Sequence, residues 1–439
     1  MRGQISGMDQ SQREFTFADT RERLARALDA YLPGEEYRAY YRWALSAANP
    51  DRELFCRINA LDQLANLTAS VLAGLDEGTD WPTLVGHAAP VNLYQVFEVV
   101  SDNLGIGLAA PGADPVRREL VLAFDAEVAA ELRSPTGRPA TELLADLRRP
   151  ASVVSAFEQS LRPKEHRMVA RRYADGPGRP TVDELDATVW DGLVANVESG
   201  RDVLTALAGT RTEPIVRDRT VYRYAAVDRT LGASALSREE LLETSVHTIL
   251  VTPTLGYFAS VFGEILSSDP GYPAVLADGS LVAAFDTAAL LVRLLNDVGT
   301  PLLEMSRAER AALVDGLRPR FAENGSDSAI PLLAAASGAV PALNRLRKDL
   351  IHGELNVCLY EVHRATGARE GLEVFLDVLE LCADRYARAR KLFASQLSGL
   401  DTRLRERRGV EVARRFVAFH ERLYSRPYDA PRSSGDYAI

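Results

Sequence analysis

Helical periodicity runs through almost the whole sequence and constrains the fold more than any other feature. Apolar residues recur every three or four positions, as between Arg52 and Leu75, and clusters of Gly, Pro and Asp such as APGADP and SSDPGYP separate the periodic segments. Strand-like alternation is nearly absent, and the β-branched stretch at 249–254 lies inside a helical pattern. Because no linker divides the pattern, it predicts an all-α fold built as a single large helical bundle.

Composition narrows the class of protein further. The 439 residues carry a net charge of −10, which argues against a general nucleic-acid binder. The three cysteines, Cys56, Cys358 and Cys382, include no C-x-x-C pair, so we expect neither a disulfide framework nor a zinc site, and a cytoplasmic location. No signal peptide and no run of about 18 apolar residues occurs, so no membrane span is expected.

The ends of the chain differ from its middle. Residues 1–18 are predicted to be a disordered leader, residues 19–430 the helical domain, and residues 431–439 a flexible tail.

The stretch LLNDVGTPLLE places three oxygen-bearing side chains on an otherwise apolar helix. Asn296, Thr300 and Glu304 are spaced by four residues, so on a continuous helix they form one stripe about 12 Å long. Amide, hydroxyl and carboxylate oxygens suit Mg²⁺, whereas Asp297, about 100° round the helix, is expected to bind a neighbouring arginine. The alternative is a solvated helix end with a capping network, which a kink at Pro301 would accompany.

This stretch resembles the second metal motif of class I terpene synthases, (N/D)D-x-x-(S/T)-x-x-x-E, at every required position. The segment 353–393, beginning GELNV, is similar to the two helices that follow the motif in that family. Family members end with an Arg-Tyr pair that closes over the diphosphate. In FHERLYSRPYDAP the preferred match is Arg426 with Tyr428, and the second is Arg422 with Tyr424.

The resemblance also implies two features upstream of the motif. One is a helix break whose glycine carbonyl faces the cavity, which TPTLGYF supplies with Pro253 and Gly256. The other is an arginine that senses diphosphate. Arg229 in VDRTLGA matches it in composition, although it lies about twenty residues too early, and His247 is the basic residue nearest the break.

The first metal motif of the family, D-D-x-x-(D/E), has its best match between Asp76 and Asp80. The match departs from the pattern at the second position, and a charged helix end leading into a turn explains these residues equally well. A weaker rival is Asp62 with Asn66 on the same predicted helix.

Taken over the chain, the resemblance implies a divergent, bacterial-type class I terpene synthase with added segments near 135–180 and 305–350. Such a lyase has a central apolar cavity and binds an isoprenyl diphosphate with three Mg²⁺ ions. It ionises the substrate and releases a cyclic terpene and pyrophosphate. Chain length favours a C20 substrate, hence a diterpene, over C15, and a copalyl-type diphosphate is also compatible. Tyr257 and Phe258 are the wall candidates, and family members are often homodimers.

Two other functions fit the same residues. A prenyltransferase on this scaffold would pass the prenyl cation to an acceptor. A non-catalytic helical binding protein would use Asn296, Thr300 and Glu304 only as structural hydrogen-bonding groups.

Overall fold

The structure is a computed structural model, and it describes residues 10–108, 113–231, 236–324 and 328–428, without the side chains of 320–324. Helices and turns account for these residues and no strand occurs among them, which confirms the all-α prediction. No helix in these ranges has the length and apolar character needed to cross a membrane. Where the sequence predicts one bundle, the chain divides into two compact units, residues 10–106 with 113–225, and residues 107–108 with 226–428. The predicted tail, 431–439, lies outside the described residues.

The first unit packs around two long helices. Its helices are α1 Gln10–Tyr31, α2 Glu35–Leu45, α3 Arg52–Ile58, α4 Leu61–Leu72, α5 Trp81–Gly105, α6 Pro115–Arg133, α7 Ala140–Leu143, α8 Arg148–Ala151, α9 Pro163–Ala174, α10 Val182–Asp186, α11 Val189–Ala206 and α12 Glu213–Leu231, the last of which runs into the second unit. Helix α5 packs along α11. A Cβ on Gly192 would lie 3.0 Å from Val100, and one on Gly200 would lie 3.3 Å from Tyr94, so glycine permits this close approach.

The predicted leader is partly structured. Helix α1 begins at Gln10, so residues 10–18 are helical, although the sequence predicts that they are disordered. Thr16 is buried on the face that continues to Leu24 and Leu28, and Trp81 Nε1 donates to the carbonyl of Gln12 at 3.2 Å. Contacts with α4 and α5 therefore stabilise a segment whose own sequence is polar.

A buried carboxyl in the first unit makes its stability depend on pH. Asp191 is 7% exposed and accepts the backbone N–H of Gly34, and a Cβ on Gly34 would lie 2.2 Å from its Oδ2. Burial raises the pKa of Asp191 to about 6, although Gly34, Arg148 and Arg38 act in the opposite direction.

We expect Asp191→Asn to remove a loss of stability that the wild type shows between about pH 4 and pH 6. The folded state holds this proton more tightly than the unfolded state, whose carboxyl has a pKa of about 3.9, so stability falls as the pH rises through that window. The effect is on the order of 1–2 kcal/mol after solvent screening. Urea unfolding from pH 4 to 7 measures it. Asp183→Asn, at an exposed carboxyl, is the control, and parallel curves for wild type and Asp191→Asn would contradict the assignment.

The second unit is organised around one apolar helix. Its helices are α13 Arg238–Ser245, α14 Val251–Ser260, α15 Tyr272–Ala277, α16 Ser280–Val298, α17 Thr300–Glu304, α18 Arg307–Asn324, α19 Ala329–Ala339, α20 Arg347–His352, α21 Ala368–Arg403 and α22 Arg408–Leu423. Helix α16 packs against α14, α21 and α22. Leu291, Leu294 and Leu295 are fully buried, because three sides of this helix face other helices.

Several predicted helices are divided in the structure. The helix expected from Arg52 to Leu75 is interrupted at Ala60, which adopts a left-handed φ of 58° between α3 and α4. The periodicity also predicts a helix over 337–366. The structure has in its place the end of α19, a 3₁₀ turn at Pro341–Leu346, the short α20 and irregular backbone after Gly353. Helices α7–α9 and α18–α20 occupy the segments near 135–180 and 305–350, and their status as additions stays a prediction.

Candidate functional site

The motif segment does not form one continuous helix. Helix α16 ends at Val298, Gly299 has φ 88° and ψ 146°, and α17 begins at Thr300. This backbone conformation belongs almost only to glycine. The prediction of a single stripe of Asn296, Thr300 and Glu304 is therefore wrong. It requires one continuous helix, and the helix is interrupted at Gly299, between Asn296 and Thr300.

Asn296 is bound by an arginine from the 3₁₀ turn Pro341–Leu346. Arg345 Nε donates to the Asn296 carbonyl at 2.7 Å, and its Nη2 donates to the Asn296 side-chain oxygen. The guanidinium also lies over the ring of Tyr424, 4.6 Å from its centroid. The side-chain oxygen of Asn296, which the sequence predicts to bind a metal, thus already accepts a hydrogen bond from the charged guanidinium of Arg345.

Thr300 joins the start of α17 to the end of α22. Its Oγ1 donates to the carbonyl of Glu421 at 2.6 Å, and its backbone N–H donates to the carbonyl of Tyr424 at 3.2 Å. Thr300 is only 7% exposed. These bonds satisfy carbonyls at a helix end that would otherwise lack partners.

Glu304 contributes to an ion network at the surface of the second unit. Arg390 on α21 approaches Glu304 at 3.3 Å and Glu421 at 3.0 Å, and the Tyr386 hydroxyl donates to Glu421 at 2.7 Å. About half of the Glu304 side chain is exposed. Of the three motif residues it is therefore the one most accessible to a ligand.

Asp297 is the most connected residue of the motif. Its carboxylate lies 2.7 Å from Arg293 and accepts the backbone N–H of Val357 at 2.8 Å. Its carbonyl accepts Nδ2 of Asn356 at 2.7 Å. The predicted pairing of Asp297 with an arginine is confirmed, and Asn356 brings the GELNV segment into contact with the motif.

The same buried cluster extends along α20. Asn356 Nδ2 donates to Asp349 Oδ2 at 2.5 Å, and Lys348 lies 3.4 Å from Asp349 and 2.6 Å from Glu354. The neighbouring carboxylates raise the pKa of Lys348 against its desolvation, so it stays charged.

Of the C-terminal candidates, Tyr424 contacts both Thr300 and Arg345. Arg422 follows Glu421 on α22, and its Nη2 is buried without a hydrogen-bond partner. Burial lowers the pKa of Arg422, and the charge of Arg426 lowers it further against the effect of Glu421. Arg426 is exposed, and the backbone N–H of Tyr428 donates to Oδ1 of Asn344.

The upstream candidates differ from what the resemblance implies. Gly256 lies inside α14, and no break occurs at TPTLGYF, because Pro253 is in the first turn, where its missing N–H costs no helical bond. The irregular backbone instead comes before Val251, and a π-helical turn follows at Val261–Ile265. Arg229 on α12 is half exposed and lies 3.7 Å from Glu240.

The first-motif candidates belong to the first unit. Asp80 is the N-cap of α5 and accepts the N–H of Thr83 at 2.9 Å, which lowers its pKa, while Asp76 lies in the turn before it. The rival pair is joined locally, since Nδ2 of Asn66 donates to the carbonyl of Asp62 at 2.6 Å. The structure thus gives Asp80 a capping role at the start of α5, which neither interpretation of this stretch predicts.

Sequence reasoning did not identify Arg345, Arg390 or Glu421, the partners of the motif. They come from segments at least 49 residues away in the sequence, and nothing in the sequence around them indicates that they contact the motif. The sequence predicts a neighbouring arginine for Asp297 without naming it, and the structure shows that it is Arg293, four residues earlier on α16.

The metal expectation can be tested against the donors present. The described part of the chain holds no group of three or more His, Cys, Asp and Glu residues placed to bind a metal ion. The oxygens of Asn296, Thr300 and Glu304 have the right chemistry for Mg²⁺. As they are arranged, however, they do not form a shared ligand set, because the Arg345 guanidinium already occupies the Asn296 oxygen.

No family model, curated protein or solved structure matches this chain.

Proposed function

We propose that the second unit binds the diphosphate of an isoprenyl substrate and promotes its ionisation, with release of a cyclic terpene and pyrophosphate. One observation carries this proposal. The end of α22 is bonded to the motif through Thr300, and the same turn holds Arg422, whose Nη2 is buried and lacks a partner. Because a buried guanidinium donor without a partner is costly, an anionic oxygen at this position would be bound strongly.

The chemistry follows from charge. When the allylic C–O bond breaks, its electron pair goes to the diphosphate, and a prenyl cation remains. A C=C bond of the chain attacks this cation to close the ring, and loss of a proton then gives the neutral cyclic terpene. Arg422, with Arg426 four residues along the chain, would stabilise the developing negative charge. Tyr257 and Phe258 are buried and pack edge to face at 5.9 Å, so they offer an aromatic surface in the same unit for a cation.

The metal rests on the resemblance alone, whereas the substrate preference rests on the resemblance together with the length of the chain. A C20 or copalyl-type diphosphate is favoured over C15, and Mg²⁺ would arrive with the diphosphate. The motif oxygens do not form a shared ligand set for the ion, because Arg345 already donates to the Asn296 side-chain oxygen.

A non-catalytic helical protein is the second candidate, and a specific observation favours it. Asn296 and Thr300 both have protein partners, and Glu304 is paired with Arg390. In this case the motif joins α16, α17, α21 and α22 and binds no substrate. The prenyltransferase alternative shares the diphosphate site with the synthase and differs only in needing an acceptor.

We expect Arg422→Gln to reduce diphosphate-dependent turnover by about 10- to 100-fold, the equivalent of one lost charge-assisted hydrogen bond of roughly 1.5–3 kcal/mol. The assay incubates purified protein with C10, C15, C20 or copalyl-type diphosphate, with Mg²⁺ or with EDTA. It measures pyrophosphate release and extracted hydrocarbons. Glu304→Gln is tested alongside, and Arg369→Gln, at an exposed arginine of α21, is the matched control.

The outcomes separate the candidates. A cyclic product that falls with Arg422→Gln but not with Arg369→Gln would support the synthase. Pyrophosphate release only after an acceptor alcohol or aromatic is added would identify the prenyltransferase. No release from any substrate, with no Mg²⁺-dependent binding of diphosphate, would leave the non-catalytic protein.

A further inference from the structure

A surface cleft in the first unit brings together one acidic and one basic side chain. Its volume of about 490 Å³ lies within the range of about 300–1,000 Å³ that is typical of small-molecule sites. The cleft is formed by the connection between α1 and α2 at Pro33 and Gly34, the segment from α7 to α8, and the first turn of α11. Of the residues that line it, Arg148 and Asp191 are ionisable.

Arg148 is positioned by an aromatic ring and lacks an anionic partner. Its guanidinium carbon lies 5.0 Å from the centroid of the Trp190 ring. Trp190 is itself held in place, because it is 9% exposed and its Nε1 donates to the carbonyl of Leu144 at 3.1 Å. The guanidinium of Arg148, which is exposed, forms no ion pair or hydrogen bond within the described part of the chain. Its planar set of donors is therefore available to a ligand, and it matches the geometry of a carboxylate.

Asp191 supplies the opposite charge. Its carboxylate lies against Gly34, whose backbone N–H donates to it. A carboxylate can accept about four hydrogen bonds, so most of this capacity is left over. Burial raises the pKa of Asp191 to about 6, which shows that the surroundings compensate its charge poorly. A cationic group that donates hydrogen bonds would supply the missing compensation.

The two charges of the cleft do not neutralise each other. Arg148 is near enough to lower the pKa of Asp191, but these two side chains form no ion pair. A purely anionic ligand on Arg148 would bring its charge close to Asp191, and a purely cationic ligand on Asp191 would be repelled by Arg148. A ligand that carries both charges offsets each of them.

We propose that this cleft binds a small zwitterion of the α-amino acid class, with its carboxylate on Arg148 and its ammonium group on Asp191. Pro33, Ala145 and the Trp190 ring, which also line the cleft, would border an aliphatic side chain of the ligand. The site is separate from the diphosphate proposal, because all of its residues belong to the first unit.

The test uses the full chain at about pH 7.5, where the Asp191 carboxyl is ionised, and three compounds with similar branched carbon chains. L-Leucine carries both charges, 4-methylpentanoate lacks the ammonium group, and 3-methylbutylamine lacks the carboxylate. Saturation-transfer NMR and calorimetric titration measure the binding of each. L-Leucine is expected to bind at least about tenfold more tightly than the other two, because each of them loses one charge-assisted hydrogen-bonding group.

Two variants locate the binding. Arg148→Gln changes an exposed residue, so it should fold, and it should weaken L-leucine at least about tenfold while leaving 3-methylbutylamine no weaker. Asp191→Asn should weaken L-leucine by a similar factor while leaving 4-methylpentanoate no weaker. Arg149→Gln is the matched control. Arg149 is an exposed neighbour of Arg148 that does not line the cleft, so this variant should bind L-leucine as the wild type does.

The proposal is supported if L-leucine binds best and both cleft variants lose it. It is overturned if the wild type does not bind L-leucine, or if Arg148→Gln and Asp191→Asn bind it as tightly as Arg149→Gln does. Binding of 4-methylpentanoate as tight as that of L-leucine would also overturn it, since the cleft would then be a simple anion site at Arg148. Equally tight binding of 3-methylbutylamine would overturn it in favour of a cation site at Asp191.

Discussion

Replacing Asp297 by alanine is expected to destabilise the protein by about 3–5 kcal/mol. Asp297 is 1% exposed and Arg293 is 9% exposed, and they lie 2.7 Å apart. Removing the carboxylate leaves the guanidinium buried without its counter-charge and deprives the Val357 N–H of its acceptor at 2.8 Å. The loss of one partner from a buried ion pair has this magnitude, because the remaining charge is no longer offset.

The double variant Arg293→Met with Asp297→Leu separates charge from packing. It removes both ions and keeps apolar volume, so most of the lost stability should return. Glu373→Ala, which breaks the exposed pair with Arg369, is the surface control and should change stability by less than about 1 kcal/mol. Urea unfolding gives all three values. A loss at Asp297→Ala no larger than that of Glu373→Ala would show that this pair does not stabilise the fold.

The amphipathic pattern predicts the bounds of the long helices closely. Burial of one helix face requires an apolar residue at every third or fourth position, and in a long helix this pattern is repeated over many turns. The periodicity predicts helices over 370–398 and 402–424, and the structure has α21 at Ala368–Arg403 and α22 at Arg408–Leu423. The pattern does not predict the helix bounds where a helix is interrupted but the apolar spacing continues across the interruption. Ala60, the residue before α4, has a left-handed φ of 58°, and an alanine gives no sequence signal for that conformation.

The sequence predicts one contact of the candidate site, the arginine partner of Asp297, but not the contacts that come from distant segments. The position of Asp297, about 100° round the helix from Asn296, predicts a neighbouring arginine as its partner, and the structure identifies that partner as Arg293 on the same helix. The sequence does not predict Arg345, which reaches Asn296 from a turn 49 residues away. Spacing of four residues also assumes an unbroken helix, and Gly299 in the middle of the motif removes that condition.

Replacing Gly299 by alanine is expected to be the most damaging glycine substitution at the candidate site. Its φ of 88° and ψ of 146° lie in a region that side chains with a Cβ avoid, at a cost of roughly 1–3 kcal/mol. A Cβ here would also lie 2.9 Å from Cβ of Arg345, the residue that binds Asn296. The clash adds to the strain, so we expect a loss of at least about 2–3 kcal/mol.

Gly316→Ala is the matched control. Gly316 lies inside α18 with open space around it, so alanine there should stabilise the protein by about 0.5–1 kcal/mol.

If Gly299→Ala relieved its strain by becoming helical, α16 and α17 would merge, and Asn296, Thr300 and Glu304 would align on one face as their spacing implies. That outcome would appear as unchanged or increased stability together with new Mg²⁺ binding. It would mean that the bend at Gly299, and not the choice of side chains, prevents the motif from forming a metal site. Loss of stability without Mg²⁺ binding would instead show that the bend is required by the packing of Thr300 against α22.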